Sequence, residues 1–83
     1  MTFDDRTFEI QIASDIVRDG MCLEAWETSE GRSVQVAEVF YSDISERLAF
    51  TAFEKNLPLG LVENMCRTAQ ERLVPETELT GGN

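Results

Sequence analysis

The stretch "SDISERLAFTAF", residues 42–53, decides the architecture of this 83-residue chain. As a helix, it would use Ser42 as N-cap, place Asp43 and Glu46 at capping-box spacing, and carry Ile44, Leu48 and Ala52 at i, i+4 and i+8. As a turn followed by a strand, "SDISE" closes a hairpin and "RLAFTAF" alternates, with Leu48, Phe50 and Ala52 on one side and Thr51 and Phe53 on the other. Phe50, Thr51 and Phe53 suit a pleated surface better than a helix, so the strand reading is preferred.

The segments before it agree with a sheet. "SVQVAEVFY", residues 33–41, is rich in β-branched and aromatic residues. Val34, Val36 and Phe40 share one parity and Ala37, Val39 and Tyr41 the other, so both faces are apolar and a central strand is expected. "FEIQI", residues 8–12, alternates cleanly as a half-buried strand. In "ASDIVRDGMCLEAWET", residues 13–28, Asp19-Gly20 signals a two-residue hairpin turn. That register sets Ile16 opposite Leu23 and Val17 opposite Cys22, but also Asp15 opposite Glu24, an unfavourable like-charge pair. A helical turn over residues 14–19, capped by Ser14, competes with it. "TSEGR", residues 28–32, is a further turn, with Gly31 free to adopt a left-handed conformation.

"LPLGLVENMCRTAQERL", residues 57–73, is the one helix. Pro58 suits a helix start and Pro75 a stop. Leu59, Leu61, Val62, Met65, Cys66, Ala69 and Leu73 fall on one arc, opposite Glu63, Asn64, Arg67, Gln70 and Glu71. The expectation is an α+β fold: an antiparallel sheet of three to four strands in chain order, with a C-terminal amphipathic helix packed on one face. Residues 1–6 are expected to fray, 7–75 to form a single domain, and "ETELTGGN", residues 76–83, to be a flexible tail.

A chain this short buries only about 60% of its unfolded surface, so self-association would help it. The net charge is −9, and residues 1–46 hold most of it, with eleven acids and three bases. Nucleic-acid binding is disfavoured, because phosphate neutralisation needs a basic patch; a basic protein partner is allowed. Acidity alone also keeps a small protein soluble. No apolar run approaches the ~20 residues a spanning helix needs. "MTFDDRTFEI" has acids where a secretory leader would have bases. Two cysteines, Cys22 and Cys66, and no such leader point to a cytoplasmic protein with reduced thiols.

The chain contains no histidine. That removes the commonest general base and metal ligand, and with them Ser-His-Asp and Cys-His catalysis. Two cysteines without histidine cannot close a four-ligand zinc site, and no phosphate loop, dinucleotide fingerprint or EF-hand spacing occurs. No cofactor, no metal and no enzymatic activity are expected. A two-carboxylate hydrolase would need a pocket with two close acids of unequal pKa. Cys66, inside the helix stripe, and Cys22, in a strand, read as small core hydrophobes.

Two features point to function. If Phe8, Ile10, Ile12, Leu23 and Phe50 face the helix, then Trp26, Val39, Tyr41 and Phe53 lie on an uncovered face. Val39, Tyr41 and Phe53 would then serve self-association, most simply as a dimer; a one-residue register change would instead place these residues in the core. In "LEAWETSEGR", residues 23–32, Trp26 is framed by Glu24, Glu27 and Glu30, which together could anchor a basic partner. The alternative is a Trp packed over a sheet edge among solvated acids. The function expected is a small acidic binding or adaptor module, with inhibitor or immunity-type proteins as a compatible subclass. The rival is a structural subunit of a homo-oligomer with no separate ligand.

Overall fold

The computed structural model describes residues 1–75, which form five antiparallel strands and one helix. The strands are β1 (Thr2–Phe3), β2 (Arg6–Asp15), β3 (Gly20–Ser29), β4 (Arg32–Ser42) and β5 (Leu48–Ala52); the helix is α1 (Leu59–Arg72). Strand order in the sheet follows chain order, β1 to β5. The α+β meander is the expected one, but with five strands rather than three to four. The added strand comes from residues 1–6, which are not frayed: Thr2 pairs with Thr7 and Phe3 with Arg6. Asp4 and Asp5, with φ of 51° and 61°, close that ribbon with positive φ at both central positions of its turn. The tail at 76–83 lies outside the described residues.

The β2–β3 hairpin corrects the sequence register. Asp15 pairs with Gly20, so residues 16–19 form a four-residue loop. Ile12 and Ala13, not Ile16 and Val17, lie opposite Leu23 and Cys22. Ile16 and Val17 project from the loop, 86% and 94% exposed. This register sets Gln11 beside Glu24 and avoids the Asp15–Glu24 repulsion. Gly20 is required for close approach: a Cβ there would lie 2.0 Å from the Tyr41 carbonyl oxygen. The β3–β4 turn is Glu30-Gly31, and Gly31 takes the left-handed conformation anticipated, with φ of 77°.

Residues 42–53 use both signals the sequence carries. The Ser42 hydroxyl accepts hydrogen bonds from the backbone N–H groups of Ile44 and Ser45, and the Glu46 N–H donates to the Ser42 carbonyl. The cap therefore closes a single turn. β5 follows, pairing antiparallel with β4 from Tyr41↔Leu48 to Ala37↔Ala52.

A bulge in β4 settles which residues are buried. Ala37 pairs with Ala25 and Gln35 with Trp26, so β4 spends one extra residue, Val36, on that step. Val36 and Ala37 are consecutive and both fully buried. The Val36 carbonyl accepts a hydrogen bond from the Phe53 N–H. One core cluster holds Phe8, Leu23, Ala25, Val36, Ala37, Val39 and Tyr41 of the sheet with Leu61, Met65, Ala69 and Leu73. In α1 the buried positions are Leu61, Met65 and Ala69, a strict i, i+4, i+8 series. The stripe is narrower than expected: Leu59 is 71% exposed and Cys66 half-buried. Pro58 caps the helix, its carbonyl accepting from the N–H groups of Leu61 and Val62.

Candidate functional site: the outer face of the sheet

Cross-strand partners share a face, so the register assigns every side chain to one of two surfaces. One carries the core cluster. The other, here the outer face, is built of rungs: Glu9–Trp26–Gln35, Gln11–Glu24–Glu38–Thr51 and Ala13–Cys22–Phe40–Ala49. Asp15, Gly20 and Ser42 close its loop end.

Arg18, in the β2–β3 loop, folds back over this face. Its guanidinium carbon sits 4.2 Å from the centre of the Phe40 ring. Nη1 and Nη2 donate to the two Glu38 oxygens at 2.8 and 3.2 Å, and Nε donates to Asp15. Glu38, only 7% exposed, thereby keeps its charge partnered in a buried position. The same contacts raise the Arg18 pKa above its ordinary value. The Arg18 backbone N–H and then its side chain, both donating to Asp15, hold that carboxyl below the usual range.

Next to this clamp lies a second aromatic and carboxylate. The Trp26 indole Nε1–H donates to Glu24 at 3.2 Å, and the Cys22 thiol lies 3.8 Å from the other Glu24 oxygen. The thiol also reaches the Ala13 carbonyl at 3.5 Å. Burial first, then the charges of Glu24, Glu38 and Asp15, pushes the Cys22 thiol up, the reverse of what a nucleophilic cysteine needs. Both cysteines are free thiols. They belong to different surfaces, Cys22 to the outer face and Cys66 to a small cleft of about 150 Å³ shared with Val39, Leu48 and Phe50.

The four acidic and aromatic residues singled out in the sequence divide into two pairs. Glu24 and Trp26 lie together on the outer face. Glu27 pairs with Phe8, on the core side, and Arg6 grips it through two nitrogens at 2.8 and 2.9 Å. That grip holds the Glu27 carboxyl below its ordinary pKa. Glu30 lies in the β3–β4 turn, and it and Glu27 border an open depression of about 590 Å³ with Arg32, Val34 and Glu54. The self-association trio also divides. Val39 and Tyr41 are 3% and 2% exposed in the core cluster, so they do not lie on an uncovered face. The bulge at Val36 is the physical reason, because it fixes which β4 parity is buried. Phe53 is 54% exposed.

Sequence reading missed Arg18, Glu38, Phe40 and Glu9. A signal was present: Glu24-Ala25-Trp26 and Glu38-Val39-Phe40 repeat one pattern, an acid two residues before an aromatic, on neighbouring strands. Only the register shows that both fall on one face.

Among the described residues, no group of three or more acids and cysteines could hold a metal ion, and no helix is long and apolar enough to cross a membrane. No protein-family model, no curated protein and no solved structure matches the chain.

Proposed function

We propose that the protein is a small acidic, non-catalytic binding module that engages a basic protein partner through the outer face of its sheet. In this reading α1 packs over the core side, leaving the outer face open. One observation carries the proposal: Trp26, Glu24 and Glu9 share the outer face, while the cation that reaches it, Arg18, is committed to Glu38 and Asp15. Uncompensated acids around an aromatic favour a basic surface and would mainly set association rate and specificity. An inhibitor or immunity-type protein is one form such a module takes. A reducing, cytoplasmic setting suits the two free thiols. The test is to isolate binding partners and measure the affinity of each at rising salt, for the natural chain and for a Glu9→Lys, Glu24→Lys double variant. Steep weakening with salt and loss of binding in the variant are expected; unchanged affinity in the variant would overturn the reading.

A second reading rests on β5. This strand pairs with β4 on one edge and ends the sheet on the other. Leu48–Phe53 contains no charged residue, and Phe50 and Phe53 are 40% and 54% exposed. An uncharged edge strand of this kind offers its backbone to another strand. The protein would then be a homodimer joined edge to edge. Light scattering should show a dimer at low and high salt that Phe53→Asp dissociates; a monomer at both would exclude it.

A further inference from the structure

We propose that Trp26 and Glu24, with Glu9 alongside, receive an arginine side chain of the basic partner. The inference rests on the binding reading above and narrows it from a basic surface to one side chain. The molecule supplies its own template. Arg18 stacks on Phe40 and grips Glu38 through both terminal nitrogens. Phe40 follows Glu38 by two residues on β4, as Trp26 follows Glu24 on β3, and Glu24 is the direct cross-strand partner of Glu38. The two aromatic–acid pairs therefore lie side by side on the same face. One is filled by a guanidinium; the other is not. Among the described residues no basic side chain forms an ion pair with Glu24 or Glu9.

The neutral donors already on Glu24 favour this occupant. Trp26 Nε1–H takes one carboxylate oxygen and orients it beside the indole. A carboxylate has about four lone-pair directions, so capacity remains for an incoming donor. Holding the group in place beforehand lowers the ordering cost of binding. Trp26 is only half-buried and Glu9, its cross-strand neighbour, is exposed, so the ring and both acids can be reached. An indole is the strongest of the aromatic cation acceptors. A guanidinium can stack flat on that ring and still present its fork to a carboxylate, whereas an ammonium is a compact point charge that cannot do both.

The experiment uses the full chain and two short peptides of equal length, one alternating arginine with glycine, the other lysine with glycine. Trp26 is the only tryptophan, so its emission reports the site directly. The arginine peptide is expected to shift Trp26 emission and to bind about tenfold more tightly than the lysine peptide. Glu24→Gln should lose about tenfold of that binding while Glu63→Gln, on α1, loses none; Trp26→Phe should weaken it less than Trp26→Ala. Equal binding of both peptides would overturn the arginine site and leave the general acidic module standing. Failure of both peptides to bind at low salt would overturn both. An emission shift that grows with protein concentration alone would mean that a second copy fills the site, which also overturns the proposal.

Discussion

Gly20 shows how little room single residues have in this sheet. Its position looks like a turn glycine in the sequence, yet it is the first residue of β3, buried and directly opposite Ser42. A methyl group there would meet the Tyr41 carbonyl oxygen at 2.0 Å and the Phe40 ring at 2.7 Å. Backbone cannot yield as a flexible side chain can. Gly20→Ala should therefore destabilise the fold by about 3 kcal/mol, at the upper end of overpacking costs. Urea unfolding followed by Trp26 fluorescence measures it; a loss below about 1 kcal/mol would show that β3 and β4 part easily at this end.

At the level of elements, the β2–β3 loop and β4 are joined by Arg18. Removing the arginine leaves Glu38 a buried carboxylate without its cation. Arg18→Ala should cost about 1–2 kcal/mol, moderated because the Arg18 side chain is itself 45% exposed. Adding Glu38→Gln should recover part of the loss, and a double-mutant cycle by chemical denaturation gives the coupling; additive effects would mean that the clamp contributes nothing. Much of the fold was legible beforehand, because alternation at 8–12 and the helical arc at 57–73 are strong local patterns, whereas 42–53 carries helix and strand signals together. What was not legible was relational. Both parities of 33–41 are apolar, so nothing local could say that Val36 is the bulged residue and that Val39 and Tyr41 are core. The Arg18–Glu38 pair spans a loop whose register the Asp-Gly signal misplaced. Of the candidate site, Glu24 and Trp26 could be picked out together, since they are two residues apart on one strand. Glu27, an odd number of residues from both, necessarily faces the other way.

At the scale of the whole molecule, carboxyls with lowered pKa, Asp15 and Glu27 among them, tie stability to pH. Asp15 and Glu27 titrate below their ordinary values of 3.8 and 4.5 in the folded protein. The stability they contribute is complete above about pH 4.5 and is lost as the pH falls through their folded values. Protonation also relieves the repulsion of a chain with net charge −9, so the comparison must be internal. Between about pH 5 and pH 2 the natural protein should lose more stability than Glu27→Gln, which lacks one of these groups. Parallel decline of the two melting midpoints would remove Glu27 from the account. The nearest-neighbour strand order bears on a different matter, the order of events during synthesis. Each strand pairs with the one made just before it, so loop closure is cheap and the hairpins can form in sequence as the chain lengthens. The core residues of α1 come after all five strands of the described residues. Until they emerge, Phe8, Leu23, Val39 and Tyr41 have no cover from Leu61, Met65 and Ala69, and the nascent sheet passes through a sticky stage that ends only when α1 is translated.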